Sequence, residues 1–279
     1  MEIFKEIEPL KAFLRQEKID ARTIGFVPTM GALHRGHLSL IEASRLENAR
    51  TVCSIYVNPT QFNNPSDLAK YPRTLDRDIE LLGKTGCDVI FCPDNNAMYS
   101  SESQIKFDFG TLDKVMEGRF RPGHFSGVAL VVSKLFHIVS PERAYFGQKD
   151  FQQFKIIEKL VDELKFDISL RCMPIEREPD GLAMSSRNTR LSAEQRKKAI
   201  IFYESLQEAS ELLKKGNSMK DVQQVIKSKC ENSEVQLEYL ELADKSNLTV
   251  LENVSGKSKA ILLIAGYVGE VRLIDNILL

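Results

Sequence analysis

The sequence predicts an α/β fold, a doubly wound parallel sheet followed by a smaller α+β domain, and three observations carry that expectation. Short β-branched or apolar runs alternate with segments of helical period from residue 23 to about 175, the order that right-handed βαβ crossovers produce. Apolar density in a run such as "RTVCSIYV" is that of a strand covered on both faces. Beyond a polar, turn-rich stretch at 176–192, two charged helical segments lead into three runs that alternate like antiparallel strands.

The elements follow in order. "MEIFKEIEPLKAFLRQ" reads as a charged amphipathic helix, not a signal peptide. "TIGFV" (23–27) reads as a strand, 36–48 as a helix and 50–57 as a second strand. A polar loop, "NPTQFNNPSDLAKYPRT", leads to helix 75–85 and strand 87–92. A long apolar helix, 127–140, precedes strand 143–147, helix 150–164 and strand 167–175. The domains are therefore placed at 1–175 and 176–279. In the second, helices at roughly 192–215 and 218–230 precede strands 235–244, 259–269 and 271–279.

Composition narrows the function classes. Lys and Arg number 38 against 39 Asp and Glu, so no basic field recruits nucleic acid or an acidic membrane surface, and any phosphate site must be built locally. The longest apolar run, "AILLIAGYV", is too short to span a bilayer. Five scattered cysteines without a CxxC pair fit reduced thiols in a cytoplasmic protein. Neither GxGxxG nor a phosphate loop ending in Gly-Lys-Ser/Thr is present, which disfavours a dinucleotide dehydrogenase and a phosphate-loop kinase. No Cys/His cluster has zinc-ligand spacing.

The chemistry concentrates in "PTMGALHRGHLSLIEAS" (28–44). In an open parallel sheet, ligands bind beyond the carboxyl ends of strands, and residues 28–37 follow the first predicted strand. Gly31 and Gly36 allow close backbone approach and positive φ. The helix start is expected to offer free N–H groups to an anion, though the dipole alone contributes only ~0.3–1 kcal/mol. His34 and His37, three residues apart at that start, add stronger donors; the alternative is that both are incidental cap residues.

"HRGH" resembles the HxGH signature of nucleotidyltransferases and class I aminoacyl-tRNA synthetases. The wider "PTMGALHRGH", with "VNPTQF", "YPRT", "RPGHFSGV", "FGQKDFQQ" and "DGLAMSSRN" in that order, resembles the pantothenate synthetase (pantoate–β-alanine ligase) family over essentially the whole chain. The resemblance implies a Rossmann-like first domain that binds ATP and pantoate and a second domain that acts as a lid. It implies an ATP site made by Met30, Gly31, Ala32, Leu33, His34, Arg35, Gly36 and His37, by Gly147, Gln148, Lys149 and Asp150, and by Glu176, Met184, Ser185, Ser186 and Arg187. Glu176 stands where the family has a small apolar residue. Gln61 and Gln153 are implied to hold pantoate. Met30, Phe62 and the "VNP" backbone can form an apolar wall for its methyls; Arg121 and His124 either order that wall or the phosphates, or serve the structure alone.

Residue chemistry agrees with these roles without requiring them. Lys149 can set an ammonium against phosphate, and Arg187 a guanidinium fork. Asp150 can accept from ribose hydroxyls or cap a helix, and "SSR" taken alone reads as a cap. His34, His37, Lys149 and Arg187 are the candidate catalytic residues. The resemblance implies ATP as substrate, Mg2+ with ligands unassigned, pantoate and β-alanine as the other substrates, a pantoyl-adenylate intermediate, and release of AMP and pyrophosphate. It also implies a homodimer through the first domain, with "RTVCSIYV" as a candidate contact strand. The rival readings are a cytidylyl- or adenylyltransferase that keeps the nucleotide on its product and a non-catalytic nucleotide-binding regulator.

Overall fold

A computed structural model describes residues 1–254 and 259–279. The chain forms two compact units: Met1–Gly147 with Ile156–Pro174, and Gln148–Lys155 with Ile175–Leu279. The division expected at residue 175 gives no sign that Gln148–Lys155 go with the later residues.

In the first unit, β1 (Glu2–Phe4), α1 (Ile7–Ile19), β2 (Ile24–Thr29), α2 (Arg35–Glu47) and β3 (Arg50–Ile55) come first. Short helices α3 (Pro65–Ala69), α5 (Asn95–Met98) and α6 (Met116–Phe120) interrupt the longer loops around α4 (Leu75–Thr85) and β4 (Val89–Phe91). The unit closes with α7 (His124–Val139), β5 (Arg143–Gly147), α8 (Phe151–Glu163), whose first turn belongs to the second unit, and β6 (Ser169–Met173). The sheet is parallel throughout, in the order β1-β4-β3-β2-β5-β6.

One detail differs from the sequence reading. The opening is not all helix: Glu2–Phe4 pair in parallel with Val89–Phe91 as an edge strand. β3, within the candidate contact strand, is bonded to β2 on one edge and β4 on the other.

Alternation along β2 shows why the sheet is wound on both faces. Val27 packs with Leu40 and Ile41 of α2 and Leu82 of α4. The adjacent Phe26 points the other way and meets Phe136 of α7 edge to face, ring centroids 6.4 Å apart. Both faces being covered, the strand reads as a continuous apolar run. Burial also raises the Cys53 thiol well above its ordinary pKa and pushes Cys87 up to about 12, so neither is a nucleophile near neutral pH.

The second unit carries α9 (Ala193–Lys198), α10 (Ile201–Lys214) and α11 (Met219–Asn232), then β7 (Gln236–Asp244), β8 (Ala260–Val268) and β9 (Val271–Leu278) in an antiparallel sheet. Phe202 and Leu206 of α10 and Val222 and Ile226 of α11 close on Leu242 and Leu262 of the sheet. The single helix expected over 192–215 is two, broken at Ala199–Ile200.

Away from the carboxyl edge of the large sheet, Glu17 of α1 accepts from Arg22 at 2.8 Å and from Arg50 of β3 at 2.5 Å, and Arg50 pairs with Asp88 at 3.2 Å. The bond from Arg50, and then that from Arg22, hold the Glu17 carboxyl below its ordinary value against the opposing effect of burial. A depressed carboxylate gives stability that is present above the unfolded-state pKa, about 4.3, and lost as pH falls through the lower folded value. Acid unfolding of Glu17→Gln should therefore be less steep below about pH 4.3 than that of the wild type. Identical pH slopes would show that the cluster is not linked to folding.

Candidate active site

The order of the large sheet reverses beside β2: the chain runs outward through β3 to β4, then returns to β5 on the other side. Ligands of open α/β sheets bind at such a switch, beyond the carboxyl ends of the strands. Residues 30–34 leave β2 there, and every amide from Gly31 to His34 is committed. Thr29 Oγ1 accepts from Gly31 N at 3.2 Å. Asp78, on α4 and only 1% exposed, accepts from Ala32 N through Oδ2 at 2.9 Å and from Leu33 N through Oδ1 at 2.8 Å. Thr74 donates to the same Oδ2 at 3.1 Å. Sequence reasoning missed Asp78, whose partners lie 45 and 46 residues away.

The carboxylate explains the turn's backbone. Gly31 has φ +77°, and a Cβ there would stand 2.9 Å from Asp78 Oδ2. The second left-handed residue is Ala32, φ +49°, not Gly36, which lies in the first turn of α2. An L-residue in this region costs roughly 1–2 kcal/mol, which the bond to Asp78 offsets.

His34 is the N-cap of α2. Its Nδ1 accepts from Gly36 N at 3.2 Å, while its own N–H donates to His37 Nδ1 at 3.3 Å; the rings stand 4.1 Å apart. The expectation of free amides at this helix start is therefore corrected: the histidines themselves occupy the N–H groups of His34 and Gly36, and His37 N bonds to His34 O at 2.8 Å. The same geometry fixes the tautomer. A neutral imidazole whose Nδ1 accepts carries its hydrogen on Nε2, so each ring is an Nε2–H donor.

Gln61, buried, closes a 3-10 turn over Pro59–Gln61. Its Oε1 accepts from Asn58 at 3.2 Å and its Nε2 lies 3.1 Å from Met30 Sδ, which brings these two sequence-predicted residues together. Asn58 uses its whole amide: Nδ2 also donates to Gly127 O, and Oδ1 accepts from Thr60 and Tyr99. His124 Nδ1 lies 2.7 Å from Gln61 O, so this histidine orders the Gln61 turn. Arg121 pairs with Glu117 at 3.6 Å. Gly147 ends β5 with nothing within 4 Å of where a Cβ would be, so the chain's own packing does not demand glycine there.

In the second unit, Gln148–Asp150 form a 3-10 turn, with Lys149 Nζ 3.8 Å from Asp150 Oδ2. Asn276 of β9 holds this turn from beneath: its Nδ2 donates to Gln148 O and Lys149 O at 3.0 and 2.9 Å, and Gln148 Nε2 donates to its Oδ1 at 3.0 Å. Gln153, half-buried, follows in the first turn of α8. Glu176 accepts through its carbonyl from Met184 N at 3.0 Å, and Arg177 bridges to Ala183, folding 176–184 back on itself. Ser185 caps the 3-10 helix Ser186–Arg190 by accepting from Arg187 N at 3.3 Å, as the capping reading of "SSR" expects, and Ser186 is buried. Asp275, 3% exposed, takes a two-pronged ion pair from Arg177 at 2.6 and 3.0 Å, and burial, opposed by Arg177, raises its pKa. Arg177 also lies over the Tyr203 ring at 4.2 Å.

Among the described residues no three His, Cys, Asp or Glu side chains stand together as a metal cage. Mg2+ carried on nucleotide phosphates and water needs none, so the residues present are compatible with it. No helix among them is long and apolar enough to cross a membrane.

A parallel sheet with a histidine-capped helix at its switch point defines an α/β protein of the HxGH class. The family model for pantoate-beta-alanine ligase matches residues 2–278, and the chain belongs to that family. It is 46% identical over 275 residues to the pantothenate synthetase of Cytophaga hutchinsonii, covering 98% of this chain and 97% of the relative. Against that of Aquifex aeolicus it is 45% identical over 277 residues, with 98% and 97% covered. The crystal structure of pantothenate synthetase from Thermus thermophilus superposes with a TM-score of 0.92 at 40% identity, covering 99% of each chain. The Francisella tularensis pantoate-beta-alanine ligase, complexed with beta-gamma ATP and beta-alanine, superposes at 0.85 with 34% identity, covering 100% of this chain and 97% of that one.

Removing the Asp78 carboxylate leaves two backbone amides without their acceptor. Asp78→Ala should lower the urea unfolding free energy by about 3 kcal/mol. A loss below about 0.5 kcal/mol, typical of a surface site, would mean that the turn does not depend on this residue.

Proposed function

We propose that the protein joins pantoate to β-alanine using ATP. A pantoate carboxylate oxygen attacks the α-phosphorus, the bond to pyrophosphate breaks, and pantoyl adenylate forms. The neutral amine of β-alanine then attacks the acyl carbon, AMP leaves with the bonding pair, and the nitrogen sheds a proton to solvent as the amide forms. Family membership supports the overall reaction. The observation that carries the first step is the reciprocal histidine cap: it sets two Nε2–H donors at the sheet's switch point, where charge flowing toward pyrophosphate needs donors already in place.

Phosphoryl transfer asks the protein mainly to position groups and neutralise charge. In this reading the ATP site comprises the segment from Met30 to His37, Gly147 to Asp150, main chain at Glu176, Met184, the Ser185 and Ser186 hydroxyls, and Arg187. Lys149 and Arg187 face phosphate oxygens, while Gln61 and Gln153 read pantoate's hydroxyl and carboxylate. Mg2+ on the phosphates would neutralise part of their charge. The open space at Gly147 supports close approach of a ligand there. The lid role that the family resemblance implies for residues 176–279 is part of this reading. A homodimer and a cytoplasmic location belong to the same proposal.

Pyrophosphate exchange into ATP should require pantoate and Mg2+ but not β-alanine. Exchange without pantoate would point to a nucleotidyltransferase of another kind, and exchange needing β-alanine would replace the adenylate with a concerted route.

The histidines serve as caps as well as donors, so His→Ala would mix two effects. Asn is among the best N-caps. His34→Asn should therefore keep α2 capped and Tm nearly unchanged, yet slow adenylation in single turnover about 10²-fold. His37→Ala should slow the same step by about 10²–10³, with the second half-reaction, started from supplied pantoyl adenylate, much less affected. Unimpaired adenylation in both would leave the pair a purely structural cap.

A further inference from the structure

We propose that Asn276 is a positioning residue for Lys149, acting through the backbone of the turn that carries it; the proposal rests on the reading of Lys149 given above. An ammonium on a flexible four-carbon stem is placed only as well as its own backbone is held. The Gln148–Asp150 turn is one turn of 3-10 helix, too short to be stiff alone. One side chain supplies what it lacks. The Asn276 amide donates to two successive carbonyls, Gln148 O and Lys149 O, and takes a bond back from the Gln148 side chain. Reversing the amide would set its oxygen against two carbonyl oxygens, so its orientation is determined.

Asn276 is itself fixed. It is 1% exposed, within β9 opposite Leu263 of β8. Its N–H donates to Asp275 Oδ1 at 2.7 Å and its carbonyl accepts from Arg177 at 3.2 Å. Successive strand residues point to opposite faces. Asp275 therefore takes the Arg177 ion pair on one side while Asn276 presents its amide to the Lys149 turn on the other. The second unit's sheet is thereby the floor on which the Lys149 backbone is set.

The test is pantoate-dependent ATP–pyrophosphate exchange with the full chain as Asn276→Ala, Asn276→Asp, Lys149→Ala and the Lys149→Ala/Asn276→Ala double variant. Asn276→Ala should lower the exchange kcat about tenfold to a hundredfold with the pantoate KM changed less than about twofold. The near-isosteric Asn276→Asp, which sets an acceptor against two carbonyls, should be at least as slow. The double variant should be no slower than Lys149→Ala alone, because the two changes remove one effect. Losses that multiply, or a kcat unchanged in the single Asn276 variants, would overturn the proposal. Amide hydrogen exchange at 148–152 reports the tether apart from chemistry. It should quicken about tenfold or more in Asn276→Ala and stay as in the wild type in Lys149→Ala. If Lys149→Ala leaves activity intact, the reading of Lys149 fails. Unchanged protection in Asn276→Ala means that the tether fails.

Discussion

A carboxylate shut away from water must find donors, and Asp78 finds them in Ala32, Leu33 and Thr74. The exchange is mutual, because two successive amides of a tight turn on the carboxyl edge of a sheet also need acceptors. Gly31 must be glycine because the carboxylate comes so close, and Ala32 can stay left-handed because the carboxylate holds it. Everything downstream inherits that turn: the direction in which α2 leaves β2, the reciprocal cap at its first residue and the placing of the two imidazoles. The first turn of α4 thus sets the backbone of the candidate site.

The histidines change the usual account of a helix start as an anion site. Bare N-termini attract anions through backbone N–H groups and a partial positive charge. Here side chains of the same turn occupy the N–H groups of His34 and Gly36. The hydrogen-bonding capacity is moved outward by the width of an imidazole, from Nδ1 to Nε2, onto donors with fixed tautomers. A second proton on either ring would set a donor against a backbone donor.

Much of the fold is legible in the sequence because its signals are local. Strand 143–147 is legible to the residue, since "RAYFG" is a short apolar run between a long helix and a glycine. The antiparallel strands of the second unit are legible to within a residue or two for the same reason. What escapes depends on distant partners. Glu2–Phe4 is extended only because Val89–Phe91 lies beside it, and locally the charged run looks helical. The helix break at Ala199–Ile200 has no Pro or Gly to announce it. In the candidate site, the histidines, Gln61 and Lys149 are legible because their motifs are contiguous. Asp78 and Asn276 are not, since each supports a segment 45 residues or more away and neither sits in a motif that suggests it. Asn58, within "VNPTQF", is visible but its use as a four-way joint is not.

That Gln148–Lys155 go with the later residues has a consequence for how such a chain can be cut or recombined. A chain ended after the parallel sheet would keep the Gln148–Asp150 turn in sequence and lose Asn276, its floor. A grafted second unit would bring a new Asn276 to a turn encoded by the recipient. The two halves of that contact lie 127 residues apart, on opposite sides of the natural place to splice. The later residues are thus not a detachable cassette, and exchange between relatives is expected to succeed where the Gln148–Lys155 segment and the β9 pair Asp275–Asn276 travel together.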